Sequence, residues 1–110
     1  RGVGKLVHAP LPAGAGSVPF RAAFNEHILP VLERFAPQLM IISAGFDAHR
    51  LDPLANLNLE ADDFAWVTRQ LVAVANRHAD GRVVSSLEGG YSLNALREAT
   101  IAHVNALAGA

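Results

Sequence analysis

The chain has 110 residues, of which 51% are hydrophobic and 17% charged, so one globular domain with a core is expected and a disordered tail is excluded. The formal net charge of −1 without a run of Lys or Arg excludes tight binding to nucleic acid, and no apolar stretch approaches the roughly 20 residues that span a bilayer, so a cytoplasmic protein is predicted. The absence of cysteine excludes disulfides and thiolate sites, so a metal would be held by His, Asp, Glu or backbone oxygen.

The first half of the chain predicts a helix followed by a buried strand. Ser17 closes a Gly/Pro/Ser loop and is the predicted helix N-cap, with Pro19 in the first turn. Pro30 predicts a kink inside this helix, and Pro37 its end. The helical stripe comprises Phe20, Phe24, Ile28, Val31 and Phe35. The apolar run 39–44 predicts a strand covered on both faces, as in a parallel sheet.

The second half predicts a helix, a strand and a further helix. Asp80-Gly81 ends the second helix, residues 82–87 form the next strand, and Ser92 is the N-cap of the third helix. The predicted stripes are Phe64, Val67, Leu71 and Val74 in the second helix, and Leu93, Leu96, Thr100, Val104 and Leu107 in the third. This order implies a right-handed crossover and an α/β fold, a parallel sheet with helices on both faces, in one domain.

Polar residues follow both predicted strands. Residues 47–52 come directly after the first strand, and residues 88–91 end the second. Ligand crevices of such sheets lie beyond the carboxyl ends of the strands, so we expect the two polar clusters to face one crevice.

Each cluster allows a chemical and a structural interpretation. Asp47 and His49 stand two residues apart and could together bind zinc, or they could order a turn. Tyr91 could donate a hydrogen bond to a developing oxyanion, or it could cap the edge of the sheet. Gly89 and Gly90 could cradle a phosphate at a helix N-terminus, or they could only permit the turn.

The other polar and aromatic candidates are interpreted as structural. His27 and His103 lie beside apolar stripes, and His78 lies in a last helical turn, where a positive charge is favourable. The same structural interpretation applies to His8, to Trp66 beside the buried face, and to the helix-starting acids Glu60, Asp62 and Asp63.

Two separated motifs carry a family resemblance. "LMIISAGFDAHRLDPL" and "SSLEGGYSL", preceded by "PLPAGAGSVPFRAAF", closely resemble the histone deacetylase and acetylpolyamine amidohydrolase family, in its class II-like branch. The resemblance implies an arginase/deacetylase-like fold, of which residues 1–110 would be the C-terminal part. It implies that Asp47 is one of three protein ligands to a catalytic zinc and that Tyr91 stabilises the oxyanion. It further implies that Leu54 lines the acyl-lysine channel and that Gly89 and Gly90, the glycines beside the tyrosine, contribute to substrate binding, while His49 only orders the loop.

The expected function is therefore zinc-dependent hydrolysis of an acetylated amine by a longer enzyme. The tandem histidines that supply the general base in this family, and the remaining ligands, would lie before Arg1, so the isolated chain is expected to be inactive. Its exposed sheet edges would favour a homo-oligomer if it folds alone. Two alternatives stay open: a non-catalytic module binding a phosphate-bearing ligand at Gly89-Gly90, and an inactive piece that serves as an assembly surface.

Overall fold

The computed structural model describes residues 6–46, 49–51 and 57–109. Its elements, in chain order, are α1 (Ser17–Ala23), a π-helical turn (Phe24–Ile28), α2 (Leu29–Phe35), β1 (Met40–Gly45), α3 (Ala61–His78), β2 (Val83–Gly89) and α4 (Leu93–Leu107). None of the helices in these residues is long and apolar enough to cross a bilayer.

The start of α1 differs from the prediction by one residue. Gly16 is the N-cap and Ser17 is already helical. The Ser17 hydroxyl instead donates to the buried carboxylate of Asp63, over 2.7 Å, and Arg21 Nε donates to the same group over 3.0 Å. Burial alone would raise the pKa of Asp63, but the N–H of Glu60, the Ser17 hydroxyl and Arg21 hold it below its usual range. These bonds join α1 to the first turn of α3.

A proline interrupts the first helical segment, as predicted. The Leu29 N–H bonds to the carbonyl of Phe24, five residues back, which defines the π-helical turn. Pro30 follows directly and has no N–H to continue the α-helical pattern. The helix then ends before Pro37, also as predicted.

The two strands pair in parallel, with α3 as the crossover between them. The register runs from Met40 opposite Val83 to Ala44 opposite Leu87. This pairing confirms the predicted strand, helix, strand unit and brings the carboxyl ends of the two strands to one edge.

The prediction that β1 is covered on both faces differs from the structure. Met40, Ile42 and Ala44 contact the core clusters formed with α2, α3 and α4. The alternate residue Ile41 and its partner Val84 are 70% and 54% exposed. The described helices therefore cover one face, and the apolar pair on the other is the kind of surface that favours association. Homo-oligomerisation of the isolated chain stays a prediction.

The end of α3 follows the predicted motif. Asp80 and Gly81 have φ angles of 51° and 75°, and the Gly81 N–H donates to the Ala75 carbonyl over 3.0 Å. Left-handed residues directly after the last turn are common at helix C-termini, although this bond reaches six residues back, one more than in the Schellman motif.

In α4 the predicted cap is confirmed, and the predicted stripe is confirmed only in part, since Leu96 packs against the core. Ser92 Oγ accepts the Ala95 N–H over 3.3 Å. Leu93 is nevertheless 83% exposed, and Val104 is also exposed. The buried positions are Ala95, Ala99, His103 and Ala106. Small side chains on this face let α4 lie close to α3, because interaxial distance depends on the side chains at the contact.

Candidate functional site

The candidate site is the edge where β1 and β2 end. Gly45 lies opposite Gly89, and the Phe46 N–H donates to the Gly89 carbonyl over 3.0 Å. The last described residue after β1 and the last residue of β2 are thus held side by side. The two strand ends that precede the polar clusters lie at one edge of the sheet, and the shared crevice stays a prediction.

Gly90 makes a turn that no other residue could make without strain. Its φ is +127°, and a Cβ there would lie 3.3 Å from Leu96 Cδ1 and 3.4 Å from Phe46 Cβ. Both the backbone conformation and the lack of space require glycine. This packing accounts for Gly90 without a phosphate, and it fixes where the chain delivers Tyr91.

Tyr91 lies between the end of β2 and the start of α4, and it is 61% exposed. Its side chain is therefore not part of the apolar core. Its phenol is accessible and is chemically able to donate a hydrogen bond.

His49 holds the loop that follows β1. Its N–H donates to the Phe46 carbonyl over 3.2 Å, and its Nδ1 accepts the Leu51 N–H over 3.2 Å. The ring is fully buried and stacks on Phe64, with an interplanar angle of 6° and 6.3 Å between centroids. Its Nε2 faces the Glu98 carboxylate at 3.3 Å. These contacts confirm the prediction that His49 orders the loop.

The described residues do not make a complete metal site. Asp47 and Leu54, predicted as zinc ligand and channel residue, lie outside the described part of the chain. Within it, no group of three or more His, Asp or Glu side chains is arranged to hold a metal ion. His49 does not fit a ligand role either, because Nδ1 already accepts a backbone N–H and Nε2 faces Glu98. A zinc ion at this edge would need Asp47 and further ligands.

His103 is structural, as predicted, and its bonds are well defined. Thr68 Oγ1 donates to the Phe64 carbonyl over 2.6 Å and so accepts from His103 Nδ1 over 2.7 Å. Nε2, without a proton in this tautomer, accepts from Ser85 Oγ over 2.8 Å. The bonds link α3, α4 and β2, and burial lowers the pKa of the imidazole.

His27, His78 and Trp66 have neighbours within the protein. His27 is exposed beside Glu26, and His78 lies in the last turn of α3, 3.7 Å from Glu33. Trp66 packs edge-on against Phe20 and Phe24, and Arg21 lies over its ring.

Sequence reasoning missed Glu98. It is one of several charged residues on a predicted helix, and its contact with His49 joins residues almost fifty positions apart. Nothing local in the sequence signals such a pair.

Comparison with known proteins decides the family. The model of the histone deacetylase domain matches residues 1–107. The chain belongs to the histone deacetylase family. This agrees with the resemblance of its two motifs.

Curated relatives of this deacetylase-family chain include three close matches. It is 46% identical over 104 residues to type-2 histone deacetylase 1 of Dictyostelium discoideum, covering 94% of this chain and 7% of that protein. It is 43% identical over 110 residues to a probable deacetylase of Archaeoglobus fulgidus, covering 99% and 31%. It is 45% identical over 92 residues to a histone deacetylase-like amidohydrolase of Pseudomonas aeruginosa, covering 84% and 24%. The chain thus spans less than a third of these relatives.

Solved structures confirm the fold class. The histone deacetylase Clr3 superposes with a TM-score of 0.90 at 36% identity, over 98% of this chain and 18% of that chain. The HD domain of HDA15 superposes with a TM-score of 0.86 at 33% identity, over 96% and 29%. The parallel sheet with its helices is therefore a segment of the arginase/deacetylase-like α/β fold.

Proposed function

We propose that the complete protein hydrolyses an acetylated amine, either acetyl-lysine or an acetylpolyamine, with the help of a bound zinc ion. Residues 1–110 then form the C-terminal part of its single deacetylase domain. The family match over residues 1–107 supports the reaction class. The geometry at the ends of β1 and β2 supports the location of the site.

One observation carries the location. The Phe46 N–H bonds to the Gly89 carbonyl, so Asp47 is the next residue along one strand end and Tyr91 follows closely after the other. The strand ends that lead into these two residues, which are 44 positions apart in sequence, are thus adjacent. A carboxylate and a phenol at one edge are the groups needed for metal binding and for stabilising an oxyanion.

The proposed roles rest on the resemblance of the two motifs, and the adjacent strand ends support them. Asp47 binds zinc, and Tyr91 donates a hydrogen bond to the amide carbonyl as negative charge develops on its oxygen. Leu54 lines the channel for the acetylated side chain. Gly89 and Gly90 bring the backbone close to that channel, and the packed turn at Gly90 keeps Tyr91 in place.

A bound zinc ion would supply a Lewis acid for the substrate carbonyl and would make a water molecule nucleophilic at neutral pH. The other ligands and the general base would come from outside residues 1–110, because a catalytic zinc needs several protein ligands plus an open position. We therefore expect no useful turnover from the isolated chain.

The test is deacetylation of an acetyl-lysine peptide and of an acetylated polyamine by the complete protein. Tyr91→Phe removes the donor and keeps the ring, and should lower kcat by about 10²- to 10³-fold. Asp47→Asn should lower both activity and zinc content.

Asp80→Asn is the matched control for Asp47→Asn. Asp80 is exposed, follows the last turn of α3 and has a positive φ, which asparagine also tolerates. It should leave activity unchanged. Wild-type activity in Tyr91→Phe or in Asp47→Asn would contradict the role given to that residue.

A further inference from the structure

We propose that His49 is a positioning residue: through Glu98 it holds the loop that carries Asp47 against α4, and so sets the separation between Asp47 and Tyr91. This inference rests on the proposed function. It adds two residues, neither of them a ligand or a proton donor to the substrate.

The first support is that His49 forms hydrogen bonds within the loop that contains it. Its N–H bonds to the Phe46 carbonyl and its Nδ1 accepts the Leu51 N–H, each over 3.2 Å. The next residue, Arg50, donates its N–H to the Leu59 carbonyl over 2.9 Å. The backbone is thus fixed directly before Asp47, at His49 and at the return of the loop.

The second support is the long-range pair. Because Nδ1 accepts a hydrogen bond, the neutral ring carries its proton on Nε2, which lies 3.3 Å from a Glu98 carboxylate oxygen. Nε2 is buried and forms no hydrogen bond with the described residues, so its contact with Glu98 is electrostatic. His78 Nε2 is in the same condition, 3.7 Å from Glu33, so His49 is distinguished by the shorter distance to its carboxylate and by the loop in which it lies.

The third support is where Glu98 stands. It lies in the second turn of α4, the helix that begins two residues after Tyr91 and is capped by Ser92. A contact between His49 and Glu98 therefore joins the loop of Asp47 to the helix that follows Tyr91. Misplacement of reacting groups by about 1 Å can cost on the order of 10²-fold in rate, so this connection matters for catalysis.

The test uses the complete protein and measures kcat, KM and the rate of zinc release to a chelator. His49→Ala should lower kcat and speed zinc release, each by about 10- to 100-fold, with little change in KM. Glu98→Ala should lower kcat while zinc release changes less, because the bond from Leu51 to His49 remains.

His49→Asn separates the two halves of the contact. An asparagine oxygen can accept the Leu51 N–H in place of Nδ1, but the shorter side chain does not reach Glu98. Zinc release should therefore return toward the wild-type rate, while kcat stays as low as in Glu98→Ala.

Two controls separate positioning from general stability. His27 and Glu26 form an exposed pair of the same two residue types, 3.9 Å apart, and His27→Ala and Glu26→Ala should change nothing. Val74→Ala removes methyl groups from a fully buried position and should lower Tm without changing kcat of the folded enzyme. If His49→Ala behaves like Val74→Ala, losing Tm but keeping kcat and zinc release, the positioning role is contradicted.

The outcome also distinguishes this inference from the proposed function. Loss of activity in Tyr91→Phe together with normal kcat and zinc release in His49→Ala overturns only the role of His49. Full activity in both Tyr91→Phe and Asp47→Asn, or absence of zinc from the purified complete protein, overturns the proposed function and the inference together.

Discussion

Two fully or nearly buried histidines, His49 and His103, show how differently one residue type is used in this molecule. His103 lies in the core, and each of its ring nitrogens is bonded to a hydroxyl, on Thr68 or Ser85. His49 lies at the edge of the sheet, where Nδ1 is bonded to the backbone and Nε2 faces a half-exposed carboxylate without a hydrogen bond.

The two hydrogen-bonding patterns indicate a stabilising role for His103 and a positioning role for His49. His103 joins three elements, and because both of its ring nitrogens are hydrogen-bonded, neither is available to a ligand. His49 has one ring nitrogen without a hydrogen bond, and so does His78 in the last turn of α3, so what distinguishes His49 is its position in the loop that follows β1. The buried fraction alone does not distinguish His49 from His103, because both are buried.

The largest effect on stability is expected from removing the core histidine. His103→Ala deletes a buried ring and leaves the Ser85 hydroxyl without its acceptor, so the free energy of unfolding should fall by about 2–4 kcal/mol. His49→Ala should cost less, because the His49 ring makes one hydrogen bond where the His103 ring makes two, and its other neighbour, Glu98, is half exposed. Urea unfolding of the complete protein, with His27→Ala as the exposed control, measures both. A larger loss in His49→Ala than in His103→Ala would reverse the comparison.

A smaller effect is expected from pH. Burial holds the pKa of His103 below its ordinary value of 6.5, so the unfolded chain takes up a proton before the folded chain does as pH falls through 6.5. The contribution of His103 is thus intact above that pH, and stability is lost below it, at up to about 1.4 kcal/mol per pH unit, until the folded imidazole is itself protonated.

Unfolding of the complete protein measured from pH 8 to pH 5 checks this sign. His103→Phe keeps an aromatic ring of similar size and should flatten the loss of stability below pH 6.5. An unchanged pH dependence in that variant would assign the effect to other groups.

Local features of the fold were predictable from the sequence. The cap at Ser92, the end of α3 at Asp80-Gly81 and the interruption at Pro30 depend on residues within one turn of each other. The two strands were recognised because apolar runs before polar clusters are typical of parallel sheets.

Long-range features were not predictable. Ser17 was predicted as a cap, but it donates to Asp63, 46 residues away, and Gly16 takes the cap position. The buried face of α4 was misjudged because Ala95 and Ala99 add little to an apolar pattern, while the exposed Leu93 adds much. The pairing of His49 with Glu98 depends on how α4 packs, which no local pattern records.

The central claim is that Asp47 and Tyr91 serve one zinc site. A crystal structure of the complete protein with anomalous diffraction measured at the zinc edge tests it directly. We expect one strong anomalous peak at the carboxylate of Asp47, with the Tyr91 hydroxyl on the same side of the sheet and directed at the same cavity. A peak held by other residues, or a Tyr91 side chain on the opposite side of the sheet, would contradict it.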